Sequence, residues 1–387
     1  MLKWVQSGLS VVAGTAEPEY GADAIQPITK RIVNNQVSRP TVAEDFNWLE
    51  PGSTNVETKT FYFTDLKSGS TGFAQVIHSN VMGVHTTAQF TFRLFNSKTP
   101  ELGIWTSTKL ENFRLEGANF YADGISLELI DNKTFKLNFS ANPESLVELE
   151  MTRLTDGVIF GEDGFTFYGE DVENPWGSMR HAFWPRCSVA GKITTTKTAT
   201  EANAEPVTKE IPIEGYTMFV FALQGMKPHH AAKSWNFLNF QSENYSAVQM
   251  EFTTPRSYAE TRVNVGMICN NEKVLYATVN NKVVHLDPHD DVEIGWPVPK
   301  SIEFHYLKDA ANPDDEGVEV GVVKGDLKTL VERVDVMAEI PQLVKTIVSN
   351  VAGAKPYIYQ YCDELELTVD GITESGVAYS EVTFISE

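Results

Sequence analysis

The chain has 387 residues, 42% of them apolar, enough for real cores in two ordinary domains and too many for a disordered polymer. A formal net charge of −21 and a pI near 4.8 exclude the usual nucleic-acid binder, which needs a positive footprint to displace counterions. The same acidity opposes broad adhesion to anionic bilayers, so any membrane contact has to rest on apolar insertion.

Residues 1–17 read as an amphipathic helix. Lys3, Ser7, Ser10, Gly14 and Glu17 share one face, and Met1, Leu2, Trp4, Val5, Leu9, Val11 and Val12 spread over the other. Pro18 ends the segment. A helix this short needs a surface to fold on, either the protein's own core or a bilayer interface. A polar face of Ser and Gly with a single Lys favours insertion into a bilayer, with Trp4 at headgroup level. A Met-Leu start that keeps its methionine can be acetylated, and loss of the ammonium makes Met1 easier to bury. Gln6, Ser7, Gly8 and Ser10 interrupt the apolar run, so the segment lacks the core of a signal peptide. No apolar run elsewhere is long enough to span a bilayer.

From about residue 55 onward, apolar and polar residues alternate in short runs at 59–64, 87–95, 126–130, 135–139 and 146–151. Turn signals separate them at 68–70, 122–124, 131–132, 156–157 and 162–164. Many short strands of period two, evenly spaced, predict an antiparallel barrel or sandwich. A stretch at 194–210, rich in Thr, Ala, Glu and Lys, reads as a long loop before the first domain's last strand at 215–223. The change of domain is then expected within 224–232. A gapless echo follows: Lys59-Thr-Phe-Tyr-Phe against Lys233-Ser-Trp-Asn-Phe, with Ser68 matching Ser242 and Gln75 matching Gln249. Such an echo suits a duplicated barrel. Further strands are expected near 261–268, 273–279, 301–307, 317–323, 330–338, 357–368 and 376–386. A helix is expected at 341–352, between Pro341 and Gly353. The predicted fold is therefore all-β: an amphipathic helix at 1–17, a barrel over 45–225 and a second over 226–387.

Small barrels either fill with side chains or hold one ligand. With 22 Phe and 7 Trp, most aromatics serve as core, and an apolar cavity is expected in one barrel or between the two. The candidate ligand contacts are Phe90, Phe92, Trp105, Phe120, Phe139, His181, Trp184, Arg186, Phe219 and Phe221. Their facing depends on register, and a slip of one residue inverts it. His181, Trp184 and Arg186 form a dense cluster that serves either as a pocket mouth or, the reading favoured here, as a barrel-closing Arg packed on Trp.

Cys187, Cys269 and Cys362 are odd in number and lack CxxC spacing, which argues against a disulfide framework or a zinc ribbon. Sequons at Asn132, Asn138 and Asn244 matter only in a secreted chain. His229 and His230 are adjacent and point apart on a strand, a poor metal pair. The run His285, Asp287, His289, Asp290, Asp291 reads as a solvated loop, as does 313–316. GxSxG, HExxH, GxGxxG and GxxxxGK[ST] are all missing, so no catalytic residue, metal or cofactor is assigned.

Three stretches carry a family resemblance: Met1-Leu-Lys-Trp-Val-Gln-Ser-Gly-Leu-Ser with Ala16-Glu-Pro-Glu-Tyr-Gly; Gly177-Ser-Met-Arg-His-Ala-Phe-Trp-Pro-Arg-Cys; and His229-His-Ala-Ala-Lys-Ser-Trp-Asn-Phe-Leu-Asn-Phe. Together they resemble the fungal survival factor family over essentially the whole chain. That resemblance implies two lipocalin-like domains behind a membrane-binding helix. It also implies ceramide binding and transfer from endoplasmic reticulum to Golgi, a part in sphingolipid metabolism, and survival under oxidative stress. The implied location is the cytoplasm, peripheral to Golgi and endoplasmic reticulum membranes, with a nuclear pool allowed. The double barrel also resembles carotenoid hydratases and fungal pericyclases, which keeps open an enzyme acting on an apolar substrate.

Overall fold

The computed structural model describes residues 19–81, 83, 85–197, 206–226, 228–336 and 355–386. The expected helices at 1–17 and 341–352 lie outside the described residues, as does part of the loop expected at 194–210. Two large antiparallel sheets make up the body, each curled around its own core. The first holds strands from Ile25–Gln26 to Val207–Gln224, and the second runs from Ser234–Gln241 to Ile372–Phe384.

The two sheets share one strand order. In the first, Ile104–Leu110, His85–Asn96, Ser70–Val81 and Asn55–Asp65 lead to the last strand, Val207–Gln224. The order then runs back through Gly177–Lys197, Ser145–Arg153, Thr134–Phe139 and Ile125–Ile130. In the second, Val274–Val279, Arg262–Asn270, Tyr245–Thr253 and Ser234–Gln241 lead to Ile372–Phe384, then Tyr357–Val369, Val318–Asp326, Ser301–Lys308 and Lys282–Leu286. In both halves, therefore, the last strand closes back on the first of the hairpin series. The duplication resides in this order and not in the gapless echo. Phe61 and Phe63 point into the first barrel, whereas their offset partners Trp235 and Phe237 point out of the second. An offset that differs by one residue from the structural one swaps every side chain to the other face.

The first barrel is filled. Phe61 stacks on Phe219 at 4.5 Å, while Phe90 lies tilted 4.1 Å from Phe139 and Phe135 5.0 Å from Trp184. A buried lysine lies among these rings. Lys59 Nζ lies 4.3 Å from the Trp48 ring centre and 5.2 Å from that of Phe221, and it donates to the Ala118 carbonyl. Burial pushes its pKa well down. Nearby Glu57, also buried, accepts backbone N–H groups from Leu49 at 2.6 Å and Glu50 at 3.0 Å. The basic side chain packed on a tryptophan in this interior is therefore Lys59 on Trp48, and not Arg186 on Trp184.

Arg186 serves elsewhere. The register of Gly177–Lys197 slips between Trp184 and Cys187, a bulge at Pro185, which cannot donate to the ladder. Trp184 and Cys187 therefore both stay inside the first barrel while Arg186 is turned out toward the second. Its guanidinium donates to Asn271 Oδ1 at 2.8 Å, Ser246 Oγ at 2.8 Å and Gln241 Oε1 at 3.3 Å. It also donates to the carbonyls of Ser242 at 3.1 Å and Glu243 at 2.8 Å, and lies 3.8 Å above the Tyr216 ring. The three cysteines are free and buried.

Candidate functional site

Where the outer faces of the two barrels meet, they enclose a cavity of about 440 Å³. From the first barrel come Val56, Thr58, Thr60 and Tyr62, then Gln75, Met179, His181, Val220 and Ala222. The second supplies Trp235, Phe237, Met250, Ile358, Glu381, Thr383 and Ile385. Period-two alternation explains this lining. On Asn55–Asp65, residues 57, 59, 61 and 63 fill the barrel and 58, 60 and 62 face the hollow. On Val207–Gln224, Phe219 and Phe221 point in while Val220 and Ala222 point out.

Aromatic contacts across the interface frame the cavity. Tyr62 lies 4.9 Å from Phe237 and 5.5 Å from Tyr379, and His181 lies 6.0 Å from Trp235. Beside it, a water-sized hollow of about 20 Å³ also touches His181. Arg93 Nη2 donates to the Val331 carbonyl at 3.0 Å and pairs with Glu332 at 3.3 Å, tying the barrels together on another side.

The walls are mainly apolar, and the polar groups are few. Gln75 Nε2 donates to Thr60 Oγ1 at 2.7 Å, and Gln360 Nε2 donates to Glu381 Oε1 at 3.0 Å. Burial, with only Gln360 in opposition, pushes the Glu381 carboxyl up to about 7. Burial, helped by Arg180, pushes His181 down to about 3, so its imidazole is neutral at physiological pH. The Tyr62 hydroxyl is pushed well above its ordinary value by burial and by Glu381.

Of the ten ligand contacts expected from sequence, His181 alone lines this cavity. Phe90, Phe92, Phe120, Phe139, Trp184, Phe219 and Phe221 lie together in the packed interior of the first barrel. Trp105 packs edge-on against Phe73 at 5.7 Å, beneath the interface. Arg186 is the interdomain tie described above. The membrane-binding residues expected at Met1, Leu2, Trp4, Val5, Leu9, Val11 and Val12 lie outside the described residues. Sequence reasoning missed Thr58, Thr60, Tyr62, Gln75, Trp235, Phe237 and Glu381. These residues lie on strands that supplied no candidate, and nothing local says which face is covered by a second barrel.

The His285–Asp291 run divides. His285 Nε2 lies 2.8 Å from Asn236 Oδ1 inside the second barrel, and burial pushes it down to about 4. Asp291 accepts from the backbone of Glu293 and Ile294, from the Tyr359 hydroxyl at 2.8 Å and from Arg333. Among the described residues, no group of His, Cys, Asp and Glu is arranged to hold a metal ion.

Solved structures share this architecture. CghA superposes with a TM-score of 0.58 at 11% identity, covering 94% of this chain and 98% of its own. Kievitone hydratase from Nectria haematococca superposes with a TM-score of 0.55 at 14% identity, covering 93% and 98%. At such identities these matches speak to the fold. The chain is 62% identical to the ceramide-binding protein SVF1 of Candida albicans and 61% identical to that of Debaryomyces hansenii, over 100% of both chains in each case. It is 42% identical to the ceramide-binding protein svf1 of Emericella nidulans, again over the full length of both. The Svf1 family model matches residues 2–386, and with that match and these identities the chain belongs to the Svf1 family.

Proposed function

We propose that this protein binds ceramide, or a closely related sphingoid lipid, in the cavity between its barrels and carries it between endoplasmic reticulum and Golgi membranes. The observation that carries this reading is the hollow of about 440 Å³ with apolar walls and a few polar groups. That size and composition are ordinary for a site that shields a hydrophobic molecule from water. The names of the relatives at 62% and 61% identity supply the ligand. The amphipathic pattern of residues 1–17 supports docking at donor and acceptor membranes by apolar insertion. A cytoplasmic protein, peripheral to both membranes and serving sphingolipid metabolism and survival under oxidative stress, follows from the family resemblance.

Purification of the full-length protein from fungal cells, followed by mass spectrometry of its bound lipids, tests the reading. Ceramide at near-stoichiometric amount is the expected result. Folded protein with no enriched lipid refutes it.

A second reading, an enzyme on the same scaffold, is favoured by one observation: two ionisable groups, Glu381 and His181, both line the cavity. Turnover of an apolar polyene or terpenoid that disappears in Glu381→Gln would promote it. The relatives' names as binding proteins favour the carrier.

A further inference from the structure

We propose that Glu381 is the headgroup-recognition residue of the cavity, accepting the amide and hydroxyl hydrogens of a sphingoid lipid and so selecting it over a glycerol-based lipid with the same chains. This deepens the ceramide reading and rests on it.

Glu381, half-buried against the cavity, differs from the fully buried carboxylates. Asp45 takes both guanidinium nitrogens of Arg39 at 2.8 Å. Glu57 takes two backbone N–H groups, and Asp65 takes those of Lys67 and Ser68 at 3.0 Å. Glu251 takes Asn236 at 3.1 Å and Asn264 at 2.9 Å. The Glu381 carboxyl takes one hydrogen bond, from Gln360, and its other oxygen takes none from the described residues. A carboxyl with a single partner in an apolar hollow is costly unless something else supplies the remaining hydrogen bonds. The accessible surface left to Glu381 faces the cavity.

The surroundings fit a lipid headgroup. Glu381 lies in register with Phe237 on one side and Gln360 on the other, so an aromatic ring and an amide flank it. The Tyr379 hydroxyl and Gln360 Oε1 are both buried without a hydrogen-bond partner among the described residues. Thr60, Tyr62 and Gln75 line the same cavity from the first barrel. A ceramide brings one amide N–H and two hydroxyls, three donors close together. A diacylglycerol with the same chains brings one hydroxyl and no N–H. A site built around an unpaired acceptor rejects a ligand lacking the donor, because the acceptor then stays buried and unsatisfied.

The test measures binding of a short-chain fluorescent ceramide and its matched diacylglycerol to full-length protein. The variants are Glu381→Leu and Glu381→Gln, each checked for a single cooperative melting transition. Wild type is expected to prefer ceramide. Glu381→Leu should bind ceramide about 10-fold more weakly, the loss expected for one buried hydrogen-bonding group, with diacylglycerol binding nearly unchanged. Glu381→Gln keeps a carbonyl acceptor and should fall between. A Leu variant with wild-type preference, or one that loses both lipids equally, overturns the proposal while leaving a ceramide site in place. Wild-type protein that binds neither lipid overturns the ceramide reading itself, and this inference with it.

Discussion

Truncating Arg186 to Ala should cost about 3 kcal/mol of stability and loosen the two barrels from each other. The guanidinium is fully buried and donates to five acceptors on the second barrel. On truncation, Gln241 Oε1 and Ser246 Oγ keep each other, because Ser246 already donates to Gln241. Asn271 Oδ1 and the Glu243 carbonyl are only part-buried and can find water. The Ser242 carbonyl is left buried and unpaired, at roughly 1–3 kcal/mol. Loss of the cation over the Tyr216 ring adds about 0.5–2 kcal/mol. The sum is a large fraction of the roughly 5–15 kcal/mol that keeps an ordinary domain folded. Urea denaturation followed by both far-ultraviolet circular dichroism and tryptophan fluorescence should show one transition in wild type and two in the variant, since a weakened interface decouples domains. Lysine, a point charge without the planar fork, should rescue only part of the loss. A variant within 1 kcal/mol of wild type with coincident transitions would refute the idea that this cluster joins the barrels.

Three other perturbations follow. Phe135→Ala should lose about 3–5 kcal/mol by chemical denaturation, because its ring touches Phe46, Phe61, Trp184 and Phe219 in a filled core; lipid capture by the residual folded protein should persist, since that ring does not face the cavity. For the empty protein, the raised carboxyl of Glu381 makes its contribution complete below the unfolded value near 4.5 and lost as pH rises through about 7. Tyr62 and Tyr379 stay protonated and His181 stays neutral across that window, so Glu381→Gln should remove roughly 2–3 kcal/mol of the fall in stability between pH 4.5 and 8; identical pH profiles for wild type and variant would count against it. Trp4→Asp should abolish flotation with neutral vesicles and leave the melting temperature unchanged, whereas a drop in melting temperature would assign residues 1–17 to the core.

Local pattern made much of the architecture readable before any coordinates. Period-two alternation located the strands of both halves, and the restart of aromatic strands after residue 232 marked a second copy, because sheet formation needs only a repeating apolar face. Arg186 shows where that legibility stops. A bulge at Pro185 reverses its direction, so a residue that reads as a partner of Trp184 instead crosses to Ser246 and Gln241 on the other barrel.

The cavity shows the same limit. In an isolated barrel the inward face is apolar and the outward face meets water, so Phe219 and Phe221 read as ligand contacts. Here a second barrel covers that outward face, which makes the interface the hollow and the interior the solid core. Alternation along one strand determines that two faces differ. Only the packing of strands more than a hundred residues apart decided which face is filled with rings, which is left open, and that the carboxylate of Glu381 stands in the open one.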